Sequence, residues 1–370
     1  MIYFDNAATT KINNKALNVL NNALLNDYGN PSTHYSIGVK AHKLLEYSRN
    51  TISGFLKCQP ENIVFTSGGT ESNNIAIQSY LRTLNASDEV ICSSIEHSSI
   101  LNIFSKYKFS CKIIYINPNS EGIIDPKTII SKITSDTKLI ILQFINNELG
   151  TIQPIQEICN YIKNKKINFH VDAVQAVGHI DINLFNTPIT SLSASAHKFN
   201  GPKGIGFLYK KNVDLSLIYG GEQERGIRPG TENVPSILAM ATALEENCKK
   251  LSSSQKAINE MINFLEKELS LIPQIKFNAI HEGYHSILNF QVIGISNEAL
   301  INYMDLHGIC ISAGSACDGK NMSKSHVLKA IGLNDNEINY SIRISLSSEN
   351  TLDECKIFLN NLKTAIEKLS

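Results

Sequence analysis

Between residues 60 and 200 short apolar runs alternate with stretches whose apolar positions recur at helical spacing. ENIVFTSGGT, DEVICSS, CKIIYIN, TKLIILQFINN, INFHVDAVQ and ITSLSASAHK are rich in β-branched residues and read as strands, whereas ESNNIAIQSYLRTL reads as a helix. This alternation predicts an α/β fold with a mostly parallel central sheet and helices on both faces. Several of the runs end in small or polar residues. Chemistry is therefore expected beyond the carboxyl ends of the strands, where open α/β sheets bind ligands.

The texture changes after about residue 250. SSSQKAINEMINFLEKELSLIPQIKF is an amphipathic helix, and the shorter strand-like runs SILNFQV, GICISAG and YSIRISL follow it. They predict a second, smaller α+β domain. TLDECKIFLNNLKTAIEKL closes the chain as a covering helix opened by a Thr351–Glu354 capping box.

Composition narrows the function. The 370 residues carry 42% hydrophobic and 18% charged side chains with zero formal net charge, which excludes wholesale disorder and gives no basic field for nucleic acid or anionic lipid. MIYFDNAATT lacks the layout of a secretion signal, and no apolar run is long enough to span a bilayer. A cytoplasmic protein is expected. The eight cysteines are scattered without C-x2-C spacing, which suits reduced thiols and predicts no metal site.

Three segments carry candidate chemistry. In FTSGGTESNN a strand turns through Gly68 and Gly69 into a helix whose first turn holds Thr70; such a helix start suits a phosphate, and it is also an ordinary strand-to-helix turn. In HVDAVQAVG the strand-end Asp172, with Gln175 three positions on, can hold a pyridinium nitrogen or cap a helix. In SASAHKFNGPKG small residues deliver His197 and Lys198 into a glycine-rich loop, where a lysine is a surface charge or an amine able to form a Schiff base. Cradle, carboxylate and lysine stand at successive strand ends, in the order that suits pyridoxal 5′-phosphate.

With FDNAATT, GNPSTH, EHSSI, NNELG, GGEQERGIRPGT, SAGSAC and SIRISL added, the chain resembles the cysteine desulfurases of the NifS/IscS group, fold-type I pyridoxal-phosphate enzymes of the class V aminotransferase family. The resemblance implies that Lys198 carries the cofactor and that Asp172 pairs with its ring nitrogen. Gln175 and Asn147 would face the phenolic oxygen, Gly69, Thr70, Ser195 and His197 the phosphate, and His97 the ring face. Arg343, with Asn30 as helper, would bind the substrate carboxylate. It further implies a homodimer in which Thr231 reaches the partner's phosphate. The expected division is a large domain at 12–252 and a small one made of 1–11 and 253–370.

Cys317 matches the family's catalytic thiol. The resemblance implies that L-cysteine becomes L-alanine while its sulfur passes to Cys317 as a persulfide, with Lys198 and His97 handling protons, and then to an acceptor protein serving iron–sulfur cluster assembly or tRNA thiolation. DGKNMSKS after Cys317 is long and polar, so a mobile loop is expected around 317–324. Relatives of the housekeeping IscS kind continue beyond a position equivalent to AIEKLS with a segment that docks an iron–sulfur scaffold, so the expected acceptor stays open. An aminotransferase or a selenocysteine lyase would use the same lysine and aspartate; the thiol argues for desulfuration over transamination.

Overall fold

A computed structural model describes residues 1–106, 109–211, 216–279, 286–314 and 324–369. Seven strands form the main sheet: β2 (Ile63–Thr66), β3 (Glu89–Ser93), β4 (Lys112–Ile116), β5 (Thr137–Gln143), β6 (Asn168–Asp172), β7 (Ser191–Ser195) and β8 (Gly206–Lys210). Their order is β2-β8-β7-β6-β5-β3-β4, with β8 antiparallel to both its neighbours and the rest parallel. Both faces are covered. Along β5, Leu139 and Ile141 join one apolar cluster while Ile140 and Leu142 join another across the sheet, as the two-residue period of a strand requires. The resulting double burial explains why TKLIILQ reads as a continuous apolar run.

The C-terminal part has its own antiparallel sheet, ordered β12-β10-β9, from β9 (Ile275–Phe277), β10 (Ile287–Val292) and β12 (Ser341–Ser345). Helices Leu251–Ser270, Asn297–Leu306 and Leu352–Leu369 bury Ile262, Leu265, Leu300, Phe358 and Leu362 in a core with Leu288, Phe290 and Ile344. The last of these helices begins with the expected capping box: Glu354 N–H donates to Thr351 Oγ1 at 3.2 Å, and Thr351 N–H to Glu354 Oε2 at 3.0 Å. The chain start belongs to this part as well. β1 (Ile2–Tyr3) pairs in parallel with β11 (Ile309–Cys310), and Asp5 bridges to Ser345. Residues 5–10 then cross to the carboxyl ends of the main sheet, where Thr10 N–H donates to the His197 carbonyl at 2.8 Å.

Among the described residues no helix is long and apolar enough to cross a membrane, and no group of three His, Cys, Asp or Glu could hold a metal ion. Cys317, and the expected mobile loop up to residue 323, lie outside the described residues.

Candidate active site

The carboxyl ends of β2, β5, β6 and β7 surround a cavity of about 450 Å3, closed on another side by Ala7, Ala8 and Thr9. The sequence-predicted residues Gly69, Thr70, His97, Asn147, Asp172, Gln175, Ser195, His197, Lys198 and Arg343 all line it. Asn30 and Thr231, both exposed, do not line the cavity of this chain. Asn30 holds a tight turn, its Oδ1 accepting from Ser32 N–H at 2.9 Å.

At one end β2 turns through Ser67 and Gly68 into the helix Gly69–Leu81. Gly68 caps that helix with φ +151° and no side-chain hydrogen bond, which leaves the first-turn N–H groups without a side-chain cap. A Cβ on Gly68 would stand 3.3 Å from Ser195 Oγ, and one on Gly206 would stand 2.7 Å from Gly68 Cα. Two glycines thus let the turn and the neighbouring strands close into a cradle a phosphate would fit.

Lys198 reaches in from the turn after β7. Its Nζ donates to the carbonyls of Ala7 at 2.5 Å and Ala8 at 2.8 Å, and Gln175 Nε2 donates to the same Ala7 oxygen at 2.9 Å. Beside it, burial, then the charges of Lys198 and Lys203, push His197 down to about 4, so it is neutral at physiological pH. Its Nδ1 lies 3.2 Å from Thr9 Oγ1.

Asp172 ends β6. Its Oδ1 accepts from Val174 N–H at 3.0 Å, so the carboxylate does cap a turn, and its Oδ2 accepts from Asn73 Nδ2 at 2.8 Å. His97, beyond β3, receives Ser99 N–H on Nδ1 at 3.1 Å. Arg343 is 1% exposed, with Nη2 2.6 Å from Asp5 Oδ1 and Nη1 donating to the Asn147 carbonyl at 2.9 Å. Among the described residues its Nε has no partner, which leaves a donor for a carboxylate. None of the seven described cysteines lines the cavity, and burial pushes Cys58 and Cys159 up to about 12 and Cys248 to about 11.

Sequence reasoning missed Asn73, Ser99, His170, Glu96 and Asp5. Asn73 sat in plain view in TSGGTESNN, four residues after Gly69 and so on the same helix face. Glu96 is fully buried: its Oε1 accepts from Gln143 N–H at 2.8 Å, and Oε2 has no partner among the described residues.

Phosphate cradle, amine, ring-side carboxylate and guanidinium thus share one cavity of the right size, and these residues fit pyridoxal 5′-phosphate with an amino acid beside it. The model of the family described as aminotransferase class-V matches residues 2–358. The chain is 36% identical to a cysteine desulfurase IscS of Clostridium botulinum, over 99% of this chain and 94% of that protein. A solved structure titled as a NifS-like protein superposes with a TM-score of 0.91 at 32% identity, covering 99% of each chain. Another, titled SspA in complex with cysteine, matches with a TM-score of 0.82 at 32% identity over 94% of this chain and 99% of that one. The chain belongs to the class-V aminotransferase family, with the fold of the NifS-like pyridoxal-phosphate enzymes.

Proposed function

We propose that this protein takes L-cysteine, releases L-alanine and passes the sulfur, as a persulfide on Cys317, to an acceptor. It is a pyridoxal-phosphate-dependent cysteine desulfurase. The observation that carries this reading is the convergence of Lys198, Asp172 and Arg343 on the cavity beside the Gly68–Thr70 cradle.

When bound, pyridoxal 5′-phosphate supplies an electron sink for the charge left when the substrate Cα loses its proton. Asp172, held by the Val174 N–H and the Asn73 side-chain amide, would pair with the ring nitrogen. Arg343 holds the substrate carboxylate through its Nε edge, while Asp5 and the Asn147 carbonyl fix the other end of the guanidinium. Lys198, whose amine is within reach of the cavity, takes the Cα proton and returns one to the alanine side. The Cys317 thiolate attacks the substrate sulfur; a sulfur–sulfur bond forms, the carbon–sulfur bond breaks, and its electron pair stays with the three-carbon fragment that becomes L-alanine.

A homodimer with Thr231 serving the partner's phosphate is favoured by Thr231 being exposed outside its own cavity, and by the exposed Leu24, Leu25, Tyr28 and Tyr35 along one segment. The division into 12–252 and 1–11 with 253–370 is favoured by the separate core under the C-terminal sheet. The acceptor is a protein of iron–sulfur cluster assembly or tRNA thiolation, and the scattered thiols suit the cytoplasm.

The test is direct. With cofactor, L-cysteine and a reductant, the protein should release alanine and sulfide in equal amounts, and Cys317→Ser should abolish both while leaving cofactor binding intact. Undiminished turnover by that variant overturns the reading.

A further inference from the structure

Behind Asp172 runs a chain of buried polar side chains. Asn73, His170 and Ser191 are at most 1% exposed, and Ser99 is 9% exposed. Asn73 Nδ2 lies 2.8 Å from Asp172 Oδ2 and 2.9 Å from Ser99 Oγ; Asn73 Oδ1 lies 3.0 Å from His170 Nε2; His170 Nδ1 lies 2.8 Å from Ser191 Oγ; and Ser99 Oγ lies 2.8 Å from His97 Nδ1.

Chemistry fixes the direction of every one of these bonds. Asp172 Oδ2 accepts from Asn73 Nδ2, so Asn73 turns its NH2 towards Asp172 and its oxygen towards His170. His170 therefore donates from Nε2. Burial drives its pKa down to about 3, so the ring is neutral and its Nδ1 must accept from the Ser191 hydroxyl. On the other branch the Ser99 N–H points at His97 Nδ1 at 3.1 Å, which forbids a hydrogen there. The Ser99 hydroxyl, already accepting from Asn73, then donates to that same nitrogen, and the His97 hydrogen sits on Nε2.

We propose that Asn73 is a positioning residue that sets two groups of the site at once, donating one amide hydrogen to Asp172 and, through Ser99, fixing His97 with its hydrogen on Nε2. One NH2 group thus ties the carboxylate to the histidine. The first bond holds the carboxylate in place; the second makes His97 a hydrogen donor at Nε2, and it cannot serve as a base through a capped Nδ1. His170 and Ser191 complete the device by holding the Asn73 oxygen and so the orientation of its amide. The part of this inference that concerns catalysis rests on the desulfurase reading; the part that concerns the hydrogens does not.

Nitrogen-15 NMR of the cofactor-free protein labelled at histidine tests it without any turnover. Both His97 and His170 should appear protonated on Nε2 alone, and Ser99→Ala, which keeps the backbone N–H and loses the hydroxyl, should shift the His97 Nδ1 signal while His170 stays unchanged. A wild-type His97 protonated on Nδ1, or a His97 signal indifferent to Ser99→Ala, overturns the proposal. In the holoenzyme, Asn73→Ala should lower kcat about tenfold or more with a smaller change in KM for L-cysteine, because Arg343 is untouched. A change confined to KM also overturns it. Correct tautomers in a protein that does not release alanine would retain the network and refute only the desulfurase reading.

Discussion

Asp5 and Arg343 stand 338 residues apart in sequence and 2.6 Å apart in space, an ion pair closed over by the C-terminal sheet and the start of the chain. The guanidinium is 1% exposed on its side chain and the carboxylate 18%, so water screens neither well. Asp5 both neutralises Arg343 and aims it.

Removing that carboxylate should be costly. Asp5→Ala leaves a buried guanidinium held by the Asn147 carbonyl without its carboxylate, and the chain is expected to lose about 3 kcal/mol of stability in urea denaturation. KM for L-cysteine should rise more than kcat falls, since the variant frees the guanidinium from its aim. Unchanged stability would mean that the ion pair contributes little.

Glu96 should show itself in the pH dependence of stability. Burial pushes its pKa from 4.5 up to about 8, with the charge of Asp172 adding to the rise and the Gln143 N–H opposing it. The folded chain therefore holds a proton that the unfolded chain releases between about pH 4.5 and pH 8, and stability falls as pH rises through that window. Glu96→Gln keeps an acceptor for the Gln143 N–H and removes the titration. Relative to the wild type it should gain stability, on the order of a few kcal/mol, between pH 5 and pH 8. Parallel stability curves for the two proteins would contradict this.

Gly68 should be intolerant of a side chain. At φ +151° an alanine is strained, and its Cβ would press on Ser195 Oγ. Gly68→Ala is expected to weaken pyridoxal 5′-phosphate binding about tenfold or more while the fold survives, measured by equilibrium dialysis with circular dichroism as the control for folding. Wild-type affinity would show that the turn does not shape the cradle.

Much of this arrangement was legible in the chain. The alternation of apolar runs and helical stretches gave the sheet because its central strands, β5 among them, are buried on both faces, and Thr351 and Glu354 announced their helix because a capping box is a local interaction. SILNFQV, GICISAG and YSIRISL hold β10, β11 and β12, as their short runs suggested. The reversed direction of β8 was not legible, since strand direction is set by the connection and the neighbours and leaves no mark on GIGFLY itself. Asp5 was invisible as the partner of Arg343 because nothing local joins residues so far apart. Asn73 and His170 were passed over because a polar residue on a helix and another on a strand read as ordinary until folding buries them face to face.

The central claim is that Lys198 carries the cofactor in this cavity. Incubation with pyridoxal 5′-phosphate, reduction with sodium borohydride, digestion and mass spectrometry should place a pyridoxyl group on the peptide containing Lys198. A label on another lysine, or none at all, would contradict the account.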